Sequence, residues 1–173
     1  DECELALMRG SKYVVSDMAP AWLALKDNLS KGRKVLFSGT PCQTAAVRKA
    51  YPDVQNLLLV SLICLSNVGV NVWHKWVQEV EFKARSRLAD VVMRDKRRGW
   101  KKPMLTMSFE NPAKNASCDF HSSNYGRGFA SGLSMRDSCC HCSFRSGRSG
   151  CDVMIGDLWG AESFAPQYDD NNG

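Results

Sequence analysis

The sequence predicts an α/β fold: a mixed, partly parallel sheet flanked by helices, with a cysteine-rich loop region toward the C-terminus. Three observations predict it. Two short apolar runs, 34–38 and 56–64, alternate with segments of helical character, the pattern that builds βαβ units. Two further runs, 88–94 and 104–110, alternate in polarity across a short basic connection, as in a hairpin. Four of the eight cysteines, Cys139, Cys140, Cys142 and Cys151, crowd toward the end of the chain.

Taken in order, 18–31 reads as a helix, with Trp22, Leu23, Leu25 and Leu29 at apolar spacing and Lys31-Gly32 as its stop. The run 34–38 is too short for a helix and leads into Gly39-Thr40-Pro41-Cys42-Gln43, so it is a buried strand entering a turn. Residues 43–50 continue as a helix, with Pro41 at or just before its first turn. The run 56–64 (NLLLVSLIC) is a second buried strand. In 71–87, Val72, Trp76, Val80 and Ala84 recur every fourth residue and predict a helix with one core-facing stripe. Residues 122–135, with their glycines and serines, form a loop running into a short helix, and 152–155 is a last short strand. The polar tail, 169–173, is expected to fray.

At 173 residues, 44% hydrophobic and 24% charged, the chain has the size and composition of one globular unit. No apolar run approaches the roughly 18 residues needed to cross a bilayer. The first residues, DECELALMRGSKY, have neither the basic start nor the apolar stretch of a signal peptide, and no initiating Met. A partial chain is expected, in a reducing cytoplasm where clustered thiols serve metal or redox chemistry rather than disulfides. The net charge of +5 comes largely from residues 94–102, RDKRRGWKK. That run reads as a solvated loop or strand end, or as an anion site for cofactor phosphates; it is too short for a nucleic-acid face.

Cys139-Cys140-His141-Cys142 contains a C-x-x-C pair able to place two thiolates on one metal or cluster. No second C-x-x-C follows, so a zinc ribbon lacks its other half. Cys42 and Cys64 each sit at the C-terminal end of a predicted strand, where open α/β sheets assemble their sites. They are either the missing ligands or buried structural cysteines. Cys140 and Cys151 are spare thiols near the pair, His141 is a further donor beside it, and Cys3 and Cys118 have no context. The Gly39-Thr40-Pro41 turn opens a helix, a place for a phosphate or a plain tight turn. Asp157 is a catalytic or a turn-capping aspartate. No Ser/His/Asp order or carboxylate pair points to hydrolysis.

Together the strings GSKYVVSD, KVLFSGTPCQ, MRDKRRGWKK, YGRGFASGL, SCCHC and DVMIGDLWG, spanning residues 10–160, resemble the coenzyme F420 hydrogenase/dehydrogenase beta-subunit family. The resemblance implies that residues 1–30 end an N-terminal region and 31–173 form a C-terminal domain. It implies an oxidoreductase whose 4Fe-4S cluster passes electrons to FAD, and onward to a two-electron acceptor such as coenzyme F420. Cluster thiols would be Cys42, Cys64, Cys139 and Cys142. Flavin contacts would come from Ser11, Lys12, Tyr13, Ser16, Gly39, Thr40, Pro41, Gln43, Asp157 and Trp159. A ferredoxin-like module or partner redox subunit would supply electrons. Relatives reduce chlorophyll intermediates, and bacterial homologues occur among polysaccharide-synthesis functions. Two departures stand out: Leu65-Ser66-Asn67 follows Cys64 where relatives carry His-Gly, and Cys140 replaces an aromatic between the paired cysteines. The alternatives are a cysteine-ligated zinc domain and a cofactor-free interaction domain.

Overall fold

The computed structural model describes residues 10–145 and 147–168; Cys3 and the tail 169–173 lie outside them. In chain order the elements are α1 (Ala19–Ser30), β1 (Val35–Gly39), α2 (Pro41–Ala50), β2 (Leu57–Leu62), α3 (Val70–Ala84), β3 (Leu88–Asp95), β4 (Met104–Phe109), β5 (Ala116–Asp119), α4 (Asn124–Ala130), α5 (Asp137–Cys140), β6 (Val153–Ile155) and α6 (Ala161–Phe164). The fold is α/β with both parallel and antiparallel pairing, and the two kinds of pairing fall in separate three-stranded sheets. The chain divides into two compact units, one made of Ser16–Leu65 and Asp137–Asp157, the other of Ser66–Arg136 with the segments before Ser16 and after Asp157.

The first unit is built on the parallel sheet β1-β2-β6. β1 lies beside β2 from Val35↔Leu57 to Gly39↔Ser61, and β6 joins β2 from Val60↔Val153 to Leu62↔Ile155. Phe37, Leu57 and Leu59 bury against Leu25 of α1 and Val47 of α2. The run 56–64 is therefore only half buried: Leu57, Leu59 and Ser61 point inward, while Leu58 and Leu62 are exposed, as are Leu36, Val153 and Ile155. The run expected as a buried strand is one, in a parallel sheet, and alternation at period two buries one of its faces. Helix α1 closes with the Gly32 amide donating to the Leu29 carbonyl and Arg33 to Asn28, at 3.0 and 3.1 Å.

Asp152 locks the returning chain onto β2. Its amide donates to the Leu59 carbonyl at 2.9 Å, and its carboxylate accepts from the Leu59 amide at 2.7 Å. Arg48 of α2 closes the arrangement, 2.6 Å from Asp152 Oδ1 and 3.0 Å from the Gly150 carbonyl. One side chain thereby stands in for a strand residue at the start of β6.

The second unit sets the antiparallel sheet β3-β4-β5 against α3. Its core is rich in rings: Trp76, Phe120 and Tyr125 with Val68, Met93 and Leu105, bordered by Tyr13, Trp73 and Phe129. The helix stripe differs from the expected one. Trp73, Trp76, Val77 and Val80 face this core, while Val72 is 40% exposed. An α-helix repeats at 3.6 residues, so spacings of three and four together mark the buried face better than fours alone. The helix expected for part of 122–135 is α4, whose start is capped by Ser123 Oγ accepting from the Gly126 amide at 2.9 Å.

The basic run is partly consumed by this sheet. Arg97 donates to Asp95 at 2.6 Å, to Thr106 at 2.7 Å and to Ser117 at 3.0 Å, so one guanidinium ties β3, β4 and β5 together. The hydrogen bond from Arg97, first among several causes, holds the Asp95 carboxyl below its usual range. Lys101 pairs with Glu162 at 3.0 Å. Among the described residues, no helix is long and apolar enough to cross a membrane.

Candidate four-thiol site

β1 ends at Gly39, Thr40 takes an extended conformation, and Pro41 opens α2, so Cys42 is the second residue of that helix. Gln43 fixes the turn: its side-chain oxygen accepts from the Thr40 amide at 2.8 Å, and its amide donates to Ser16 Oγ at 3.0 Å. A Cβ on Gly39 would stand 3.0 Å from that same Gln43 oxygen and 3.1 Å from the Phe37 ring, so the position favours a residue without one. The Thr40 hydroxyl lies 3.3 Å from Cys42 Sγ.

Cys64 follows β2 by two residues, and because β1 and β2 run parallel their C-terminal ends lie together. Cys139 is in the short helix α5 and Cys142 just beyond it. The chain then returns through Asp152 to β6, beside β2. Its exit passes Ile63, where a Cβ on Gly156 would come within 2.5 Å of the Ile63 side chain. The Ile63 amide donates to the Ile155 carbonyl at 2.9 Å. A glycine here lets the chain leaving β6 close against the residue preceding Cys64.

The four thiols belong to the same unit. Burial first, then the charges of Cys42, Cys139 and Cys142, push the Cys64 thiol up to about 11, while Arg145 pulls it down. Among the described residues, no group of three or more His, Cys, Asp or Glu side chains is gathered tightly enough for one metal ion.

The remaining cysteines have other surroundings. Cys118 packs against the aromatic core and its thiol is raised, chiefly by burial and then by Asp119. Cys151 packs against the aliphatic core, and Cys140 is exposed.

The ten expected flavin contacts are divided between the units. Ser16, Gly39, Thr40, Pro41, Gln43 and Asp157 fall in the thiol-bearing unit; Ser11, Lys12, Tyr13 and Trp159 fall in the other. Tyr13 is largely a packing residue. Its ring lies 4.5 Å from Phe129 and 5.1 Å from Phe120, and its carbonyl accepts from Tyr125 at 2.6 Å. Trp159 is 58% exposed and lies 4.6 Å from the buried Trp100. A concavity of about 320 Å³ between α3 and α4, lined by Val72, Trp76, Tyr125 and Ser134, contains none of the ten.

Three residues of the thiol unit escaped the sequence reading: Arg48, Asp152 and Arg145. The first two form the lock on β2. Arg145 lies within charge reach of Cys64. No spacing rule announces any of them, because their partners are distant in sequence or are backbone carbonyls.

In an open α/β sheet sites assemble at the C-terminal strand ends, and Cys42 and Cys64 lie at two of them. The chain belongs to the coenzyme F420 hydrogenase/dehydrogenase beta-subunit family: the family model for the C terminus of the coenzyme F420 hydrogenase/dehydrogenase beta subunit matches residues 32–171. Among curated proteins no match is found. Among solved structures, the chain is similar to one from the F420-reducing [NiFe] hydrogenase complex of Methanosarcina barkeri, at 22% identity and a TM-score of 0.48. The likeness covers 87% of this chain and 48% of that one, so this chain spans about half of its length.

Proposed function

We propose that residues 31–173 are the C-terminal domain of an iron–sulfur flavoprotein oxidoreductase, with Cys42, Cys64, Cys139 and Cys142 holding a 4Fe-4S cluster. The observation that carries this reading is the gathering in one unit of four cysteines from three distant chain segments, two of them at the C-terminal ends of neighbouring parallel strands. The donor set fits: four sulfurs are the usual complement of such a cluster, and cluster thiolates must be deprotonated to bind. The cluster would supply one-electron transfer and FAD two-electron chemistry, with coenzyme F420 or another small molecule as acceptor.

The protein's part is placement. The β1–α2 turn, locked by Gln43 to Thr40 and Ser16, orients Cys42. The β2–β6 pairing and the Gly156 contact orient the chain before Cys64. Family membership supports FAD; its contacts in the thiol unit would be Ser16, Gly39, Thr40, Pro41, Gln43 and Asp157. Ser11, Lys12, Tyr13 and Trp159 are further proposed contacts. A ferredoxin-like module or partner redox subunit would deliver electrons in a reducing cytoplasm.

The test is an anaerobic visible spectrum of the reconstituted chain with iron, sulfide and flavin assays. The proposal expects cluster and flavin absorption with about four irons per chain. A colourless protein binding one zinc, or no metal after reconstitution, would replace it with a structural or interaction role.

A further inference from the structure

We infer that Arg145 is a positioning residue for the thiol site, clasping the two chain segments that carry Cys64 and Cys139 and placing a fixed positive charge beside them. The inference rests on the cluster reading and adds a residue to it. Arg145 Nη2 donates to the Cys139 carbonyl at 2.8 Å and reaches the Leu65 carbonyl at 3.4 Å. Cys139 lies within α5 and Leu65 adjoins Cys64, so one guanidinium bridges segments 74 residues apart through their backbones. The carbonyls that end a helix lack internal partners and attract a cation, which gives the 2.8 Å bond its reason.

Arginine suits the position for two separable reasons. Its charge cannot be lost at any accessible pH, and the two N–H groups of Nη2, the atom that makes both contacts, have directions fixed by the planar guanidinium. Lysine keeps the charge, but its freely rotating ammonium has no fixed directions. Through the Leu65 and Cys139 carbonyls the guanidinium is held next to the backbone of two of the thiol-bearing residues. The side chain is exposed, so solvent and salt weaken its field; the clasp contributes through the backbone geometry as well as the charge.

The consequences follow the sign of the charge. Adding an electron makes a thiolate-bound cluster more negative, and a nearby cation favours that reduced state. Removing the cation lowers the potential. Loosening the clasp lets ligands leave more often, whatever the charge.

The experiment compares the reconstituted whole chain with Arg145→Gln and Arg145→Lys. Redox titration of Arg145→Gln should shift the one-electron equilibrium toward the oxidised form by threefold to tenfold, at most ~59 mV. Arg145→Lys should hold the wild-type potential, yet both variants should lose iron to a chelator several-fold faster. Unchanged potential and unchanged iron loss in Arg145→Gln would overturn the inference. Should the wild-type chain hold no cluster, the proposed function fails by its own iron assay. The clasp is then read from hydrogen exchange of amides 137–142 in the metal-free chain. Faster exchange in Arg145→Gln supports the clasp, and identical exchange overturns it.

Discussion

The two units each carry a three-stranded sheet, parallel in one and antiparallel in the other, and they use their side chains differently. The unit on β3-β4-β5 packs rings: Trp73 and Trp76 meet Tyr125, while Phe120 and Phe129 meet Tyr13, and its one described cysteine, Cys118, lies against that core. The unit on β1-β2-β6 packs mainly aliphatic side chains around Phe37, and carries Cys42 in the first turn of α2 and Cys139 in the short helix α5, with Cys64 and Cys142 just beyond β2 and α5. Its ordering devices are polar and local to the site: Gln43 on Thr40, Asp152 on Leu59, Arg145 on Cys139. The difference teaches that stability and chemistry are drawn here from separate sets of residues. Substitutions should therefore dissociate them.

The largest expected effect is on cofactor content. Cys139→Ser should abolish iron binding on reconstitution while leaving the far-ultraviolet circular dichroism spectrum unchanged; retained iron would remove Cys139 from the ligand set. The mirror experiment is Trp76→Ala, which should cost ~3–5 kcal/mol of stability in urea titration. Iron per folded molecule should stay at the wild-type level. If both variants lose iron equally, the dissociation is broken.

Asp152→Ala lies between these extremes. It leaves the Leu59 amide without its side-chain acceptor and Arg48 without its carboxylate, at a cost of ~1–3 kcal/mol. Because the lock fixes the return to β6, faster iron loss should accompany the destabilisation. Stability loss with normal iron retention would make Asp152 purely a fold residue.

The smallest effect is a pH dependence of the metal-free chain. Cys64 is raised to about 11, so the folded state keeps a proton that the unfolded state releases nearer the ordinary thiol value, about 8.5. A raised pKa gives stability that is complete below the unfolded value and lost as pH climbs through the folded one. Urea midpoints should fall between about pH 8.5 and 11, with a shallower decline in Cys64→Ser. Equal slopes would show that the coupling seen at Cys64 has no energetic consequence.

Most of the regular elements were legible because their signals are local. The 3.6 period marked α1 and α3, the short apolar runs marked β1 and β2, and Pro41 marked the start of α2. Strand β5, with the sequence ASCD, and helix α5, with DSCC, carry too few apolar residues to show a period. The separation of parallel from antiparallel pairing was also hidden, since which strands share a sheet is decided by long-range contacts. At the site, the C-x-x-C spacing and the strand-end positions of Cys42 and Cys64 pointed at the thiols. The burial that raises Cys64 and the reach of Arg145 depend on chain segments meeting in space. No linear pattern encodes them.

The most direct test of the central claim is a reconstitution series across the seven described cysteines, each replaced by serine and assayed anaerobically for iron and acid-labile sulfide. About four irons per chain should be lost in Cys42→Ser, Cys64→Ser and Cys142→Ser as in Cys139→Ser, and kept in Cys118→Ser, Cys140→Ser and Cys151→Ser. Iron that survives loss of any of the four, or that disappears with one of the other three, would contradict that claim.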